Sequence, residues 1–449
     1  LNNIDGVVCE RVFAPASDFE HLLDKHHIPL YSLESGTVLK DFDLIGFSIG
    51  YELAFTNILS VLALGEVPIR NEQRCDNDPI VLGGGPALTN PHPFSYFLDA
   101  VMIGEAEAVL PTLMRDLVKI KQKGGDRSDL LERIAYEPSF WLHSKKKTVY
   151  RSIWHNFGDE SPELLSFPVQ NIKTVQDHGV IEIMRGCPNG CRFCHAGVVY
   201  RPYREKSLQL ILKEAAIWIE KLGFREVTLS SLSSGDYSRI HDLFFFLNKL
   251  YKDSAVSFSF PSLRIDSFFM PILCEIASVR KSGLTFAVET ADPCAQASIN
   301  KEAQLDKIIE ILRSAKEYGW KLAKFYFMIG LPVLNNKDEA ESIVEYIRTV
   351  QKDTKMQLNI NIGTFIPKPH TPYQWAEQLS INDAAEKLRS IKSQLWNKRI
   401  KVSYHDPFLS FLESSISRGD SRIGLVAEHA FKNWARFDSW EEHINKQAW

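Results

Sequence analysis

Cys187, Cys191 and Cys194 fall within one short stretch, "RGCPNGCRFCHAG", of a chain that has seven cysteines in all. Thiolates are soft ligands that select zinc, copper(I) or iron–sulfur clusters. The spacing C-x3-C-x2-C lets three of them wrap one corner of a compact cluster. A cubane of four irons held by three thiolates leaves one iron open, and an open coordination position is where metal sites do chemistry. Gly186 and Gly190 let the backbone curl round a large inorganic core, and Phe193 is placed to shield it from water. The rival is a Cys3His site with His195, in a non-catalytic zinc-binding or scaffold protein. Zinc motifs usually pair two knuckles across a longer loop. Here there is one knuckle, and His195 directly follows Cys194, which is poor geometry for joint ligation. Three merely structural thiols would more often sit on strands or helices. The cluster is the preferred reading.

The elements around the cysteines repeat. Over residues 176–376 the strands "VIEIMRG", "EVTLSSL", "AVSFSFP", "LTFAVET", "AKFYFMIG" and "LNINIGTFI" alternate with amphipathic helices at 207–222, 237–251, 268–281, 304–318 and 338–352. Six βα units in series predict a partial or complete parallel barrel, whose reactive groups belong in the loops after the strands. The cysteines follow the first strand. "SSGDY" (233–237) follows the second and "PSLRID" (261–266) the third; Glu289-Thr290 ends the fourth, "GLP" (330–332) the fifth and "PKPHTP" (367–372) the sixth.

Residues 1–120 also alternate apolar runs with helical patterns. "VVCERVF", "LIGFSIG", "PIVLGGG" and "AVMIGEA" read as buried parallel strands, and "DFEHLLDKHH", "TNILSVLALG" and "EAVLPTLMRDLVKIKQ" as helices. This predicts a doubly wound α/β domain. Its strand ends carry Gly83-Gly84-Gly85-Pro86 and Gly104-Glu105, where such sheets bind ligands. A glycine cluster by itself is as readily only a tight turn. Residues 121–175 read as a connector, with "KIKQKGGDRSD" as loop. Residues 377–449 read as a helical C-terminal extension packed on the barrel. There His405, Asp406, Arg418, Asp420 and Asp438 are either reaching over its mouth or surface caps.

Composition narrows the class. The 449 residues are 45% apolar, enough for large cores, and the formal charge is −4. No Lys/Arg run advertises nucleic acid or a membrane surface; a local patch for RNA would not show in the total charge. No apolar stretch reaches the roughly 18 residues needed to span a bilayer, and no signal peptide is visible. An odd, sparse set of cysteines argues against a disulfide framework, so a reducing cytoplasm is the expected location. Cys9 and Cys75 need no role. The chain begins at Leu1, as a trimmed or fragmentary chain would.

The stretch Cys187-Pro188-Asn189-Gly190-Cys191-Arg192-Phe193-Cys194, after the first strand of a six-fold βα series, resembles the radical S-adenosylmethionine (SAM) enzymes over about residues 180–376. "ERVFAP", "GFSIGYELAFTN", "GGGPALTNPHP", "IGEAE", "LSSGDY", "PSLRIDSF", "YFMIGLP", "IPKPHTPYQW" and "ARFDSW" are similar to a narrower group of that superfamily. Its largely uncharacterised members have a cobalamin (B12)-binding-like, Rossmann-like N-terminal domain. The resemblance implies a 4Fe–4S cluster on the three cysteines and SAM bound at its open iron. Reductive cleavage would give a 5′-deoxyadenosyl radical, with a one-electron reductant such as flavodoxin or ferredoxin as partner.

By position, the resemblance puts the methionyl amine at Ser233, Ser234, Gly235 and Asp236, which stand where Gly-Gly-Glu is usual. It puts the ribose at Glu289 and the SAM carboxylate at Arg264, whose ordinary alternatives are a barrel-rim ion pair and a salt bridge. Adenine falls to Gly330, Leu331 and Pro332, with Ile366 and Pro367. Gly84, Gly85 and Gly104, within Gly83–Pro86 and Gly104–Glu107, are the candidates to face cobalamin. A cobalt-ligating Asp-x-His-x-x-Gly is not found. Asp24-Lys25-His26-His27-Ile28-Pro29 lacks the glycine and sits late in a helix, and the group's usual upstream strand and loop are missing. With cobalamin, methylation of an unactivated carbon follows. Without it, the options are methylthiolation, which the lack of a second cluster motif disfavours, or a rearrangement, on RNA or protein. Substrate and catalytic residues are not legible.

Overall fold

The structure, a computed structural model, describes residues 1–145, 147–161, 164–167, 177–259, 284–333 and 338–449. The chain divides into two compact units, residues 1–155 with 408–449, and residues 156–407.

Unit 1 is built on a sheet of β1 (Leu44–Ser48), β2 (Ile80–Gly84), β3 (Ala100–Met102) and β4 (Phe140–Trp141), in that spatial order. The first three are parallel and β4 runs antiparallel to β3. Successive side chains of a strand face opposite sides, and here both sides are apolar. Ile80, Leu82, Ala100 and Met102 pack with Leu113 and Leu117 of helix Leu110–Gln122 and Ile134 of helix Arg127–Tyr136. Ile45, Val81 and Val101 pack on the other side with Leu59 and Leu62 of helix Phe55–Leu64. The domain is therefore doubly wound.

The expected strand at 7–13 does not form. The stretch taken for a connector instead carries a helix and β4. Asp126 and Asp129 start that helix by capping each other's backbone N–H, which satisfies donors that would otherwise be orphaned.

The tail is also corrected. Leu409, Leu412 and Ile416 of helix Pro407–Arg418, with Ala427 of helix Ser421–Lys432, complete the unit 1 core beside helix Phe55–Leu64. Burying such side chains contributes about 1.5–3 kcal/mol each, ample reason for the tail to join this sheet. Arg418, Asp420 and Asp438 thus belong to unit 1: Asp420 caps helix Ser421–Lys432 and Asp438 is fully buried.

Unit 2 holds two parallel sheets. One is β5 (Gly179–Glu182), β8 (Glu226–Ser230) and β9 (Ser257–Ser259); the other is β10 (Leu284–Glu289), β11 (Leu322–Ile329), β12 (Gln357–Thr364) and β13 (Ile400–Tyr404). Helices between the strands cover one face of each sheet, with cores around Ile181 and Leu229 and around Phe325 and Ile360. This is the expected barrel architecture with one more strand. β13, short and preceded by polar residues, was read as part of the helical extension, and it adds parallel to β12. A small antiparallel ribbon, β6 (Met184–Arg185) with β7 (Arg204–Glu205), brackets the cysteine loop. No described helix is long and apolar enough to cross a membrane.

Candidate functional site

The cysteine loop leaves β6 at Gly186, whose φ of 83° suits glycine, and a Cβ there would meet the Tyr200 and Pro202 carbonyl oxygens at 2.8 Å. That close approach folds residues 187–200 into a compact loop. Gly190 is also left-handed, at 64°. The three thiols are reduced and half-buried. The backbone N–H of Gly197 donates to Cys194 Sγ at 3.3 Å, and the Asn189 amide to Cys187 Sγ at 3.3 Å. Donors aimed at sulfur are what a thiolate needs once it carries charge. Among the described residues no His, Cys, Asp or Glu set is gathered to hold an ion. Soft donors, a tight glycine cradle and N–H···S contacts fit a cluster.

Hydrogen bonds clamp the loop to the carboxyl ends of neighbouring strands. Asn189 Nδ2 also donates to Asp236 Oδ2 at 2.6 Å, and Ser233 Oγ donates to the same oxygen at 2.7 Å. Ser234 is fully buried and its hydroxyl meets that of Ser231 at 2.7 Å. Ser233, Ser234, Gly235 and Asp236 therefore form one turn against the cysteine loop. Glu205 on β7 holds that turn from below by accepting from the Ser238 backbone N–H at 2.7 Å and from the Tyr203 hydroxyl. Burial, with Glu205 next, pushes the Tyr203 phenol up, and the Tyr237 phenol is pushed up to about 12, so both stay neutral donors.

On the other side, Asn300 Nδ2 donates to the Asn189 and Gly190 carbonyls at 2.9 and 3.2 Å, and Arg192 N to the Ile299 carbonyl at 3.0 Å. Phe193 packs with Ile299, Leu331 and Phe365, joining the loop to the ends of β11 and β12. Glu289 closes β10 at a register shift, with a left-handed φ of 68°. Its carboxylate pairs with Lys301 at 2.5 Å, so the rim ion pair exists. Non-glycine residues in that region are uncommon and strained, and cluster at functional sites. Gly330, at φ 77°, is exposed to no such choice, because a Cβ would meet Leu379 at 2.6 Å. Its N–H is held by both Glu339 oxygens at 3.0 Å. Pro332 is exposed and Pro367 buried in the same region of strand ends. Arg264 lies outside the described residues.

Sequence reasoning missed Asn189, Asn300, Lys301, Glu205 and Glu339. Asn189 stands inside the cysteine motif and was visible only as a spacer. The others act from positions that no local pattern marks.

In unit 1 the glycines serve the chain itself. A Cβ on Gly85 would meet the Ile49 carbonyl oxygen at 2.4 Å, and one on Gly104 the Ser152 carbonyl oxygen at 2.3 Å. Their missing side chains admit neighbouring backbone. Gly84 has only ordinary contact, with Met102 O at 3.8 Å.

Family models match two parts of the chain: "Radical SAM proteins, N-terminal" over residues 1–142 and "Radical SAM superfamily" over residues 181–347. An uncharacterized protein of Methanocaldococcus jannaschii is 26% identical over 95% of this chain and 88% of its own length. An uncharacterized methyltransferase of Pyrococcus horikoshii is 24% identical over 57% of this chain and 54% of its own. Among solved structures, the radical SAM methyltransferase TsrM of Kitasatospora setae, with cobalamin and a 4Fe–4S cluster bound, aligns with a TM-score of 0.50 at 13% identity. That alignment covers 79% of this chain and 66% of TsrM, so it speaks to fold.

Proposed function

This chain belongs to the radical SAM superfamily, and from that premise we propose that it is an enzyme that binds a 4Fe–4S cluster at Cys187, Cys191 and Cys194 and SAM beside it. Held by Cys187, Cys191 and Cys194, such a cluster would supply one electron for reductive cleavage of the SAM sulfonium, the chemistry that starts radical reactions on substrate. The observation that carries this reading is the set of hydrogen bonds from Asn189 to Cys187 Sγ and Asp236, which couples the cysteine loop to the turn after β8.

The chain's own groups then have definite tasks. Asp236, with the Ser233 hydroxyl, offers acceptors for the methionyl ammonium. Glu289 has one oxygen on Lys301 and a second for the ribose hydroxyls. Glu339 fixes the Gly330 peptide so that the 330–332 loop can line the adenine. Phe193, among Leu331 and Phe365, keeps water from the sulfurs, where dryness strengthens every polar contact. A flavodoxin or ferredoxin is the proposed electron donor, and the cytoplasm the proposed location.

The test is anaerobic reconstitution with iron and sulfide, then reduction and addition of SAM, for the wild type and Cys191→Ala. Formation of 5′-deoxyadenosine by the wild type alone supports the proposal. Stoichiometric zinc without iron would replace it with a zinc-binding scaffold. A second reading, cobalamin-dependent methyl transfer, draws on the fold shared with the cobalamin-bound methyltransferase. The cobalamin absorption spectrum of the protein decides it.

A further inference from the structure

Parallel sheets are ordinarily covered on both faces and read as continuous apolar runs. Unit 1 obeys that rule, with "IVL" apolar throughout. The β10–β13 sheet of unit 2 does not. Its strands alternate: Phe325, Ile360 and Val402 face the helices, while Lys324, Asn359 and Lys401 face away. One row up, Tyr326 and Asn361 do the same, and Tyr326 is 42% exposed. An alternating parallel sheet keeps one face wet, which suits a chamber filled by ligand rather than by side chains.

The register sharpens this. Lys324 pairs with Asn359 across β11 and β12, and Asn359 with Lys401 across β12 and β13. Strands lie about 4.8 Å apart, so the two lysines flank Asn359 across roughly 10 Å, a span that two ammonium groups can close on one oxyanion. Among the described residues neither lysine has a carboxylate partner, and both are exposed. Glu226, on the face of the β5–β8–β9 sheet turned away from the described helices, is already engaged. Two like charges on one sheet face repel unless an anion joins them. The chain is net acidic, so this pairing is not the by-product of a basic protein.

We infer that the face of β11–β13 turned away from the described helices binds an elongated substrate through a terminal oxyanion, phosphate or carboxylate, held between Lys324 and Lys401. Six residue steps along β11 lead from Lys324 to Gly330, about 20 Å, which sets the length of a ligand whose other end reaches the SAM site. The Tyr326 hydroxyl and the Asn361 amide offer hydrogen bonds along the way. This rests on reading the barrel as a radical SAM substrate chamber, but its test does not use that chemistry.

The full chain as isolated is titrated calorimetrically with inorganic pyrophosphate and, separately, with succinate. The variants are Lys324→Ala with Lys401→Ala together, and Lys307→Ala on the exposed side of helix Leu305–Glu317 as control. Wild type and Lys307→Ala should bind at least one of the two anions, and the double variant at least about tenfold more weakly, the scale of a lost charge-assisted contact. The anion preferred names the terminus. No binding by the wild type, or equal affinity in all three proteins, overturns the inference. No SAM or reductant is present, so either result leaves the 5′-deoxyadenosine assay independent.

Discussion

The hydroxyl of Thr56 donates to a carboxylate oxygen of Asp438 across 2.6 Å, although 382 residues separate the two in the chain. Next to it, the Phe437 N–H donates to Asn57 Oδ1 at 2.9 Å. The segments "FTN" and "ARFDSW", both noted for their resemblance to one family group, are thus a single contact in unit 1. Asp438 is fully buried, and burial pushes its carboxyl above the usual aspartate value, against the pull of Thr56, Trp449 and Arg436.

That direction fixes a pH dependence. A raised folded pKa means that the folded state holds the proton longer than the unfolded chain. The stability from this group is complete below the unfolded aspartate pKa of about 3.9 and is lost as pH rises through the higher folded value. Asp438→Asn keeps the acceptor for Thr56 without the charge. Its melting temperature should match or exceed wild type at neutral pH, and the gap should close as pH falls toward 4. A gap that widens on acidification would reverse the assignment.

Thr56→Val should act in the opposite sense. It removes the donor and leaves a buried carboxylate oxygen unsatisfied, at a cost of about 1–3 kcal/mol. Urea unfolding should show a lower midpoint for the transition of unit 1, while Thr56→Ser retains most of it.

How far these contacts were legible divides along sequence distance. The strands of both units announce themselves as apolar runs, and the cysteine motif as chemistry, because both are local. The helix at 127–136 was hidden behind Gly124 and Gly125, although Asp126 and Asp129 at capping-box spacing were there to be read. β13 is five residues long and follows Asn397-Lys398-Arg399, so nothing marks it until β12 offers its edge. The tail went to the wrong unit because Leu409, Leu412 and Asp438 find partners more than 300 residues away. Glu289 was placed correctly at a strand end, but Lys301 beside it follows from tertiary structure alone.

Glu339 provides a test of that tertiary layer. Its side chain is 7% exposed, accepts the Gly330 N–H with both oxygens and pairs with Lys387 at 3.3 Å. Glu339→Ala leaves a backbone N–H and an ammonium without their acceptor, a loss of about 1–3 kcal/mol that falls on the 330–332 loop. The dissociation constant for SAM, read by equilibrium dialysis, should rise about tenfold or more while the iron content stays at wild-type level. Unchanged SAM affinity would detach that loop from the nucleotide.

Glu289→Gln should separate the two readings of that residue. The amide keeps a hydrogen-bonding shape at the ribose but forfeits the charge paired with Lys301. If Glu289 only closes the rim, the change costs stability and spares SAM binding. If it accepts from ribose hydroxyls, SAM affinity should fall about tenfold, the scale of one charged hydrogen bond. Lys301→Met, which removes the ion pair and keeps the carboxylate, should then weaken SAM binding less than Glu289→Gln does.

Asn189 carries the most specific prediction. Its amide reaches both Cys187 Sγ and Asp236 Oδ2, so it touches the metal ligand and the turn proposed for the methionyl amine at once. A hydrogen bond to a cluster thiolate stabilises the more negative, reduced state, and so raises the reduction potential. A net bond of about 1 kcal/mol corresponds to roughly 40 mV for one electron. Asn189→Ala should therefore assemble a full cluster with a midpoint lower by tens of millivolts, measured by redox titration with electron paramagnetic resonance in the absence of SAM. Asn189→Gln, one methylene longer, cannot keep both contacts. A partial shift there would show that the Cys187 contact carries the effect, and an unchanged potential in both variants would place Asn189 with the SAM turn alone.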